Sequence, residues 1–161
     1  MARIQILSDN EERAFHTAPK FDLKEQTYFF KIPEDFLEKC LEFKLENMVF
    51  IIIQYGYFRA TNRFFESINT NDIDFVKEKF SLKNINMEIP KSTRFRYYLT
   101  IKEALLIASL TPKTKAILEK EALEMAKTFQ DRKKIFFTLV TLSKNLKIEV
   151  PSLTVLTDII I

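Results

Sequence analysis

Asn47-Met-Val-Phe-Ile-Ile-Ile-Gln-Tyr-Gly-Tyr-Phe-Arg59 is the stretch on which the fold of this chain turns. It is apolar on nearly every side, so periodicity alone allows a buried helix or a buried strand. Its β-branched residues, Val49 and Ile51 to Ile53, lean toward strand. The segments on either side decide for helix, because their apolar residues return every three to four positions. Gly56 is the only glycine in the chain and is expected to terminate this helix, since glycine readily takes the left-handed conformation that ends helices.

Working outward toward the N-terminus, Phe36, Leu37, Cys40, Leu41 and Leu45 share one helical face. Pro33-Glu34-Asp35 opens that helix, with proline early and acids near the positive end of the helix dipole. Leu23 to Phe30 reads as a short helix restarted at Asp22. Ser8 and Glu11 form a capping-box pattern that predicts a helix to about Phe15.

Toward the C-terminus, Ile68 to Asp72 reads as a loop and cap. A helix follows with Ile73, Val76 and Phe80 on one side and basic residues on the other. Ser81 to Pro90 is an Asn-rich link, taken as the internal boundary. Lys91 to Tyr98 and Thr100 to Ala108 read as two successive pieces. Thr111-Pro112, Asp131 and Pro151-Ser152 each begin a further helix. The expected fold is all-α and helix-turn-helix-like, with about seven to nine short helices. They divide into a sub-bundle over 1–82 and a second over 83–161 that carries the basic segment.

Composition narrows the function classes. One glycine excludes a Gly-rich phosphate loop. One cysteine excludes an internal disulfide framework and fits a reducing compartment. The longest apolar run, Met48 to Ile53, is far short of the roughly 20 residues of a membrane span. His16 stands alone near a helix end and reads as structural, and Cys40 lies on an apolar face and reads as a buried hydrophobe. The acidic pairs Glu11-Glu12 and Glu34-Asp35 fall in first helical turns, where the helix dipole accounts for them. No catalytic constellation, metal site or cofactor site is expected.

Net charge is only +3, but it is unevenly placed. Lys77 to Lys102 holds seven basic groups against two acidic ones, the electrostatic footprint of a phosphate-binding surface. A solvated helix face has the same composition, and that alternative stays open. Within it, Lys91-Ser-Thr-Arg-Phe-Arg-Tyr-Tyr98 combines arginines, which grip phosphate or a guanine edge with two prongs, and hydroxyls suited to phosphate. Arg59 and Arg63 are four apart, on one face if helical. The candidate nucleic-acid contacts are Arg59, Arg63, Lys77, Lys79, Lys83, Lys91, Arg94, Arg96 and Lys102, with Arg94 and Arg96 at base edges.

Several of these stretches resemble one family. Lys147-Ile-Glu-Val-Pro-Ser-Leu-Thr-Val-Leu-Thr-Asp-Ile-Ile160 resembles the "leu-pro-(small)-x-thr-leu-x-x-(ile/leu)" signature that closes the N-terminal domain of Tn-three-type replicative transposases. Ile6 to Arg13 resembles that family's opening motif, and Phe21 to Lys31 its first short helix. Asn47 to Arg59 resembles a helix that begins with asparagine, runs apolar to a glutamine and ends on an aromatic-arginine turn. Asp72 to Leu82 and Lys91-Ser-Thr-Arg94 resemble later motifs in the same order. The sequence departs from the family at Glu42 to Asn47, which lacks the usual basic, glycine-containing turn.

The resemblance implies a non-catalytic domain that binds double-stranded DNA at transposon terminal inverted repeats. Strand transfer would belong to an acidic-triad domain elsewhere in the transposase polypeptide, making this chain a fragment or a decayed gene. The remainder of that polypeptide is the implied protein partner, with self-association in the full protein, no membrane, and a bacterial cytoplasmic, nucleoid-associated location. The competing expectation is a helical protein-interaction or regulatory module.

Overall fold

The computed structural model describes residues 5–82, 89–128 and 131–161. Among them lie nine helices: α1 (Asp9–His16), α2 (Leu23–Phe29), α3 (Glu34–Leu41), α4 (Leu45–Thr61), α5 (Thr70–Lys79), α6 (Lys91–Leu105), α7 (Pro112–Lys127), α8 (Arg132–Asn145) and α9 (Leu153–Ile160). The fold is all-α; the described residues hold no strand, only an isolated parallel bridge between Ala108 and Ile148.

Local chemistry sets most helix starts. Ser8 and Glu11 exchange the two hydrogen bonds of a capping box ahead of α1, and Asp22 and Glu25 do the same for α2. Thr111 pairs with Thr114 at α7. Asp131 and Ser152 accept from the third-residue amides of α8 and α9. Such caps satisfy amides that have no partner inside the helix, worth about 1 kcal/mol each.

The chain forms two compact units, residues 17–106 and residues 1–16 with 107–161. The expected division at 82/83 differs from this one in two respects. Helix α6 belongs with α4, on which it packs. Helix α1 belongs with the C-terminal helices, through contacts no local pattern encodes. The link expected at 81–90 lies in large part outside the described residues.

In unit 17–106, α4 is the central element, touched by α2, α3, α5 and α6. The stretch is helical, and every residue from Met48 to Phe58 is buried, so this is a helix enclosed on all sides and not an amphipathic one. It runs past Gly56, which is not the terminator. The Gly56 hydrogen faces the Phe30 ring so closely that a Cβ there would sit 2.5 Å from one ring carbon and 3.1 Å from the Phe29 carbonyl oxygen. Glycine is required for that approach, not for a turn. The helix instead ends at Asn62, whose φ of 55° is left-handed and whose amide donates to the Phe58 carbonyl.

In the other unit, α7, α8 and α9 pack on one another. Their core joins Leu118, Ala122, Ile135, Phe136, Leu139 and Leu156, with Leu7 contributed by the residues before α1. Phe15 of α1 meets Phe136 edge-on at 5.1 Å.

Candidate functional site

The basic segment lies on one continuous helix. Lys91 to Leu105 form α6 without a break, where two pieces were expected, because Tyr97 and Ile101 fall one turn apart on a single buried face. Pro90 occupies the position before the helix, so Ser92 and Thr93 sit in its first turn and do not cap it. Helix α6 carries four cations, Lys91, Arg94, Arg96 and Lys102, against one acid, Glu103.

The arginines of α6 play different parts. Arg94 is half-buried and turned onto the protein. Its Nε donates to the Ile89 carbonyl at 3.1 Å, its Nη1 reaches the Glu66 carbonyl at 3.5 Å, and its guanidinium lies over the Phe50 ring at 5.6 Å. Arg96 is exposed, as is Lys91, while Lys102 is half-buried. Two apolar side chains share this outward side: Phe95 is 59% exposed and Leu99 57%.

The turn after α4 is tied to α6 and to the core. Phe64 stacks on Tyr98 at 4.0 Å and on Phe58 at 4.3 Å. Gln54, fully buried, donates its amide to the Phe65 carbonyl and accepts from the Phe65 amide at 3.1 Å. Both polar ends of that side chain are therefore spent on holding the turn. Arg63 sits in it with its guanidinium 5.2 Å from the Phe65 ring centre. Through Glu66 and Phe64, the structure brings this turn beside the Arg94 and Tyr98 stretch of α6.

Other candidates lie elsewhere. Arg59 is in the last turn of α4, where it donates to the Tyr28 carbonyl at 3.0 Å and covers the Tyr28 ring at 4.7 Å. Because α4 ends between them, Arg59 and Arg63 do not share a helix face. Lys77 and Lys79 occupy the last turn of α5, Lys79 exposed and 5.8 Å from the Phe80 ring. Lys83 lies outside the described residues.

A buried polar cluster anchors α5. The Tyr57 hydroxyl donates to one Asp72 carboxylate oxygen, and the Gln26 amide donates to the other at 2.9 Å. The Asn69 amide donates to the Tyr57 hydroxyl at 3.2 Å. Burial and the Asp72 carboxylate push the Tyr57 phenol upward, so it stays protonated as the donor. Sequence reasoning missed Gln26, Gln54 and Asp72. A glutamine inside a wholly apolar helix was the one signal that pointed to any of them.

Cys40 is buried as expected, and burial raises its thiol to about 11, which leaves little thiolate. His16 ends α1, exposed, with its ring 5.4 Å from that of Phe15. Among the described residues no group of three or more His, Cys, Asp or Glu side chains could hold a metal ion. None of their helices is long and apolar enough to cross a membrane.

No curated protein matches the chain. One family model does, over residues 6–161, and its description is a domain of unknown function, DUF4158. That match spans both compact units and nearly the whole sequence, so this chain belongs to the DUF4158 family.

Proposed function

We propose that this chain binds double-stranded DNA as the N-terminal domain of a Tn-three-like transposase, at the terminal inverted repeats of its transposon, and carries no strand-transfer chemistry itself. The observation that carries the reading is the outward face of α6, which presents Lys91 and Arg96 to solvent on a helix with four cations and one acid. Cations arrayed along a rigid helix supply the sequence-independent phosphate attraction that dominates protein–DNA affinity. Arg96 is the residue for a base edge, because a guanidinium must project freely to meet guanine with two prongs. Arg94 acts as a positioning residue, since its contacts with Ile89, Glu66 and Phe50 fix α6 against the turn that carries Arg63. The ordered series of family-like motifs supports the same reading and is the reason a transposon end is proposed as the ligand.

The test compares a duplex bearing the terminal inverted repeat with a scrambled duplex by fluorescence anisotropy. Preference for the repeat is expected, and Arg96→Ala should shrink that preference by about 1–3 kcal/mol. Equal affinity for both duplexes would contradict specific end recognition.

One observation favours a second reading, a protein-interaction module. Phe95 and Leu99 are exposed on the same side of α6, and large apolar side chains are unusual on a surface meant only for phosphates. In that case Phe95→Ser would abolish partner binding, and no duplex would be retained at low salt.

A further inference from the structure

Helix α8 reads Arg132-Lys-Lys-Ile-Phe-Phe-Thr-Leu-Val-Thr-Leu-Ser-Lys-Asn145. It carries four cations and no carboxylate. Three of the cations stand together in the first turn, at the positive end of the helix dipole, where local electrostatics favours acids. Lys133 is answered by Glu11 at 2.9 Å. Arg132 and Lys134 are exposed and have no ion-pair partner among the described residues. Folding of this unit therefore does not account for them.

The two sides of α8 differ in chemistry. Ile135, Phe136, Leu139 and Ser143 are buried. Lys134, Thr138, Thr141 and Asn145 follow one another at three-to-four spacing along the opposite side, with Phe137 beside them. Together with Lys133, Leu142 and Glu121 of α7, they line an open groove of about 670 Å³. The Asp131 carboxylate, also on this rim, is occupied in capping α8, accepting from the Lys134 amide at 2.8 Å. The face thus runs from the exposed Lys134, past one aromatic that is 46% exposed, to two hydroxyls and an amide.

We propose that this face of α8 is a second duplex-reading surface, carried by the unit that lacks α6, and that its occupant is the major groove of B-form DNA. The proposal rests on the DNA-binding reading and extends it to the other unit. Charge complementarity selects the occupant: a helix with cations and no acid matches a polyanion. From Lys134 to Asn145 the helix rises about 16 Å, the length of about four to five base-pair steps, and a major groove about 12 Å wide admits it.

The side chains divide the work. Lys134 meets a phosphate at the groove edge, while Arg132, two residues earlier and off this face, adds to the positive charge of the helix as a whole. The Thr141 hydroxyl donates to the Phe137 carbonyl at 3.2 Å, which leaves it an acceptor for a base amino group and a methyl for thymine. Asn145 has the donor and acceptor that pair with adenine, and Phe137 the apolar surface for a thymine methyl. The sequence read by α8 therefore contains A·T pairs.

The test is selection of a random-sequence duplex pool by the whole chain at low salt, repeated with Thr141→Ala, Asn145→Ala and Lys134→Ala. All three positions are exposed, so dichroism and melting should match wild type. Wild type is expected to enrich a motif. Thr141→Ala and Asn145→Ala should each lose preference within one contiguous run of about four to five base pairs and bind the wild-type motif about tenfold more weakly, keeping the rest of the motif. Lys134→Ala should weaken selected and scrambled duplexes alike. If wild type enriches a motif and all three variants enrich it with equal affinity, the α8 proposal is overturned while DNA binding by the chain stands. If wild type enriches nothing, both readings are overturned together.

Discussion

Replacing Gly56 with alanine sets two effects of known sign against each other. In the middle of a helix, alanine is favoured over glycine by about 1 kcal/mol. Packing opposes it. The new Cβ would lie 2.5 Å from a ring carbon of Phe30, where relaxed carbon contacts stand about 3.5–4 Å apart, so the ring must retreat by about 1 Å. Phe30 has little room to do so: it is fully buried and faces Phe21, Tyr57 and Phe75, with ring centres 5.6, 6.1 and 6.0 Å away. The Phe29 carbonyl, 3.1 Å from the same Cβ, blocks relief on that side. Overpacking in such a core costs about 1–3 kcal/mol, and this overlap belongs at the upper end. The expected outcome is a net loss of about 2 kcal/mol. Urea unfolding followed by far-ultraviolet dichroism should show a lower midpoint with an unchanged slope. Combining the change with Phe30→Leu should restore part of the loss, since the two sites are coupled by contact. A Gly56→Ala protein as stable as wild type, or more so, would refute the claim that glycine is there for close approach.

Two further expectations concern the polar groups. Tyr57→Phe leaves Asp72 and the Asn69 amide each short of a buried partner, so it should cost about 1–3 kcal/mol in the same urea assay; a change within about 0.5 kcal/mol would mean that the cluster is not what holds α5. The hydrogen bond from Lys133 lowers Glu11 from 4.5 to about 2, with the Ser8 amide adding to the effect. A carboxylate depressed in the folded state contributes stability above its unfolded pKa and loses it as pH falls toward about 2. An NMR titration should therefore place the Glu11 midpoint well below 4.5 and move it upward in Lys133→Met; a midpoint equal in both proteins would refute the pairing.

What the sequence made legible was local. Caps at Ser8, Asp22, Thr111, Asp131 and Ser152 depend on side chains bonding amides three residues away, and their patterns read directly. The helical state of Asn47 to Arg59 followed from its neighbours. What failed were features set by distant contacts. Gly56 serves a ring more than twenty residues away, so its role looked like termination. Helices ended instead on Asn62 and Leu106, both left-handed although neither is glycine. The division between units depends on α1 docking with the C-terminal helices, which no composition shift marks. In the candidate site, α6 was visible as a charge cluster, whereas the inward turn of Arg94 depends on Glu66 and Phe50. Helix α8 escaped notice because its cations are diluted by the neighbouring acids of α7 when charge is summed along the chain, and stand out only when counted helix by helix.

The central claim is that this chain grips duplex DNA through cations on its helices, and the salt dependence of that binding tests it most directly. Each phosphate contact should contribute about −0.9 to the slope of log affinity against log salt. With six or more contacts, a fourfold rise in salt should lower affinity about a thousandfold or more. Lys91→Ala, which removes one exposed cation from α6, should flatten the slope by about one unit. An affinity indifferent to salt, or no binding to the terminal repeat at low salt, would contradict the account.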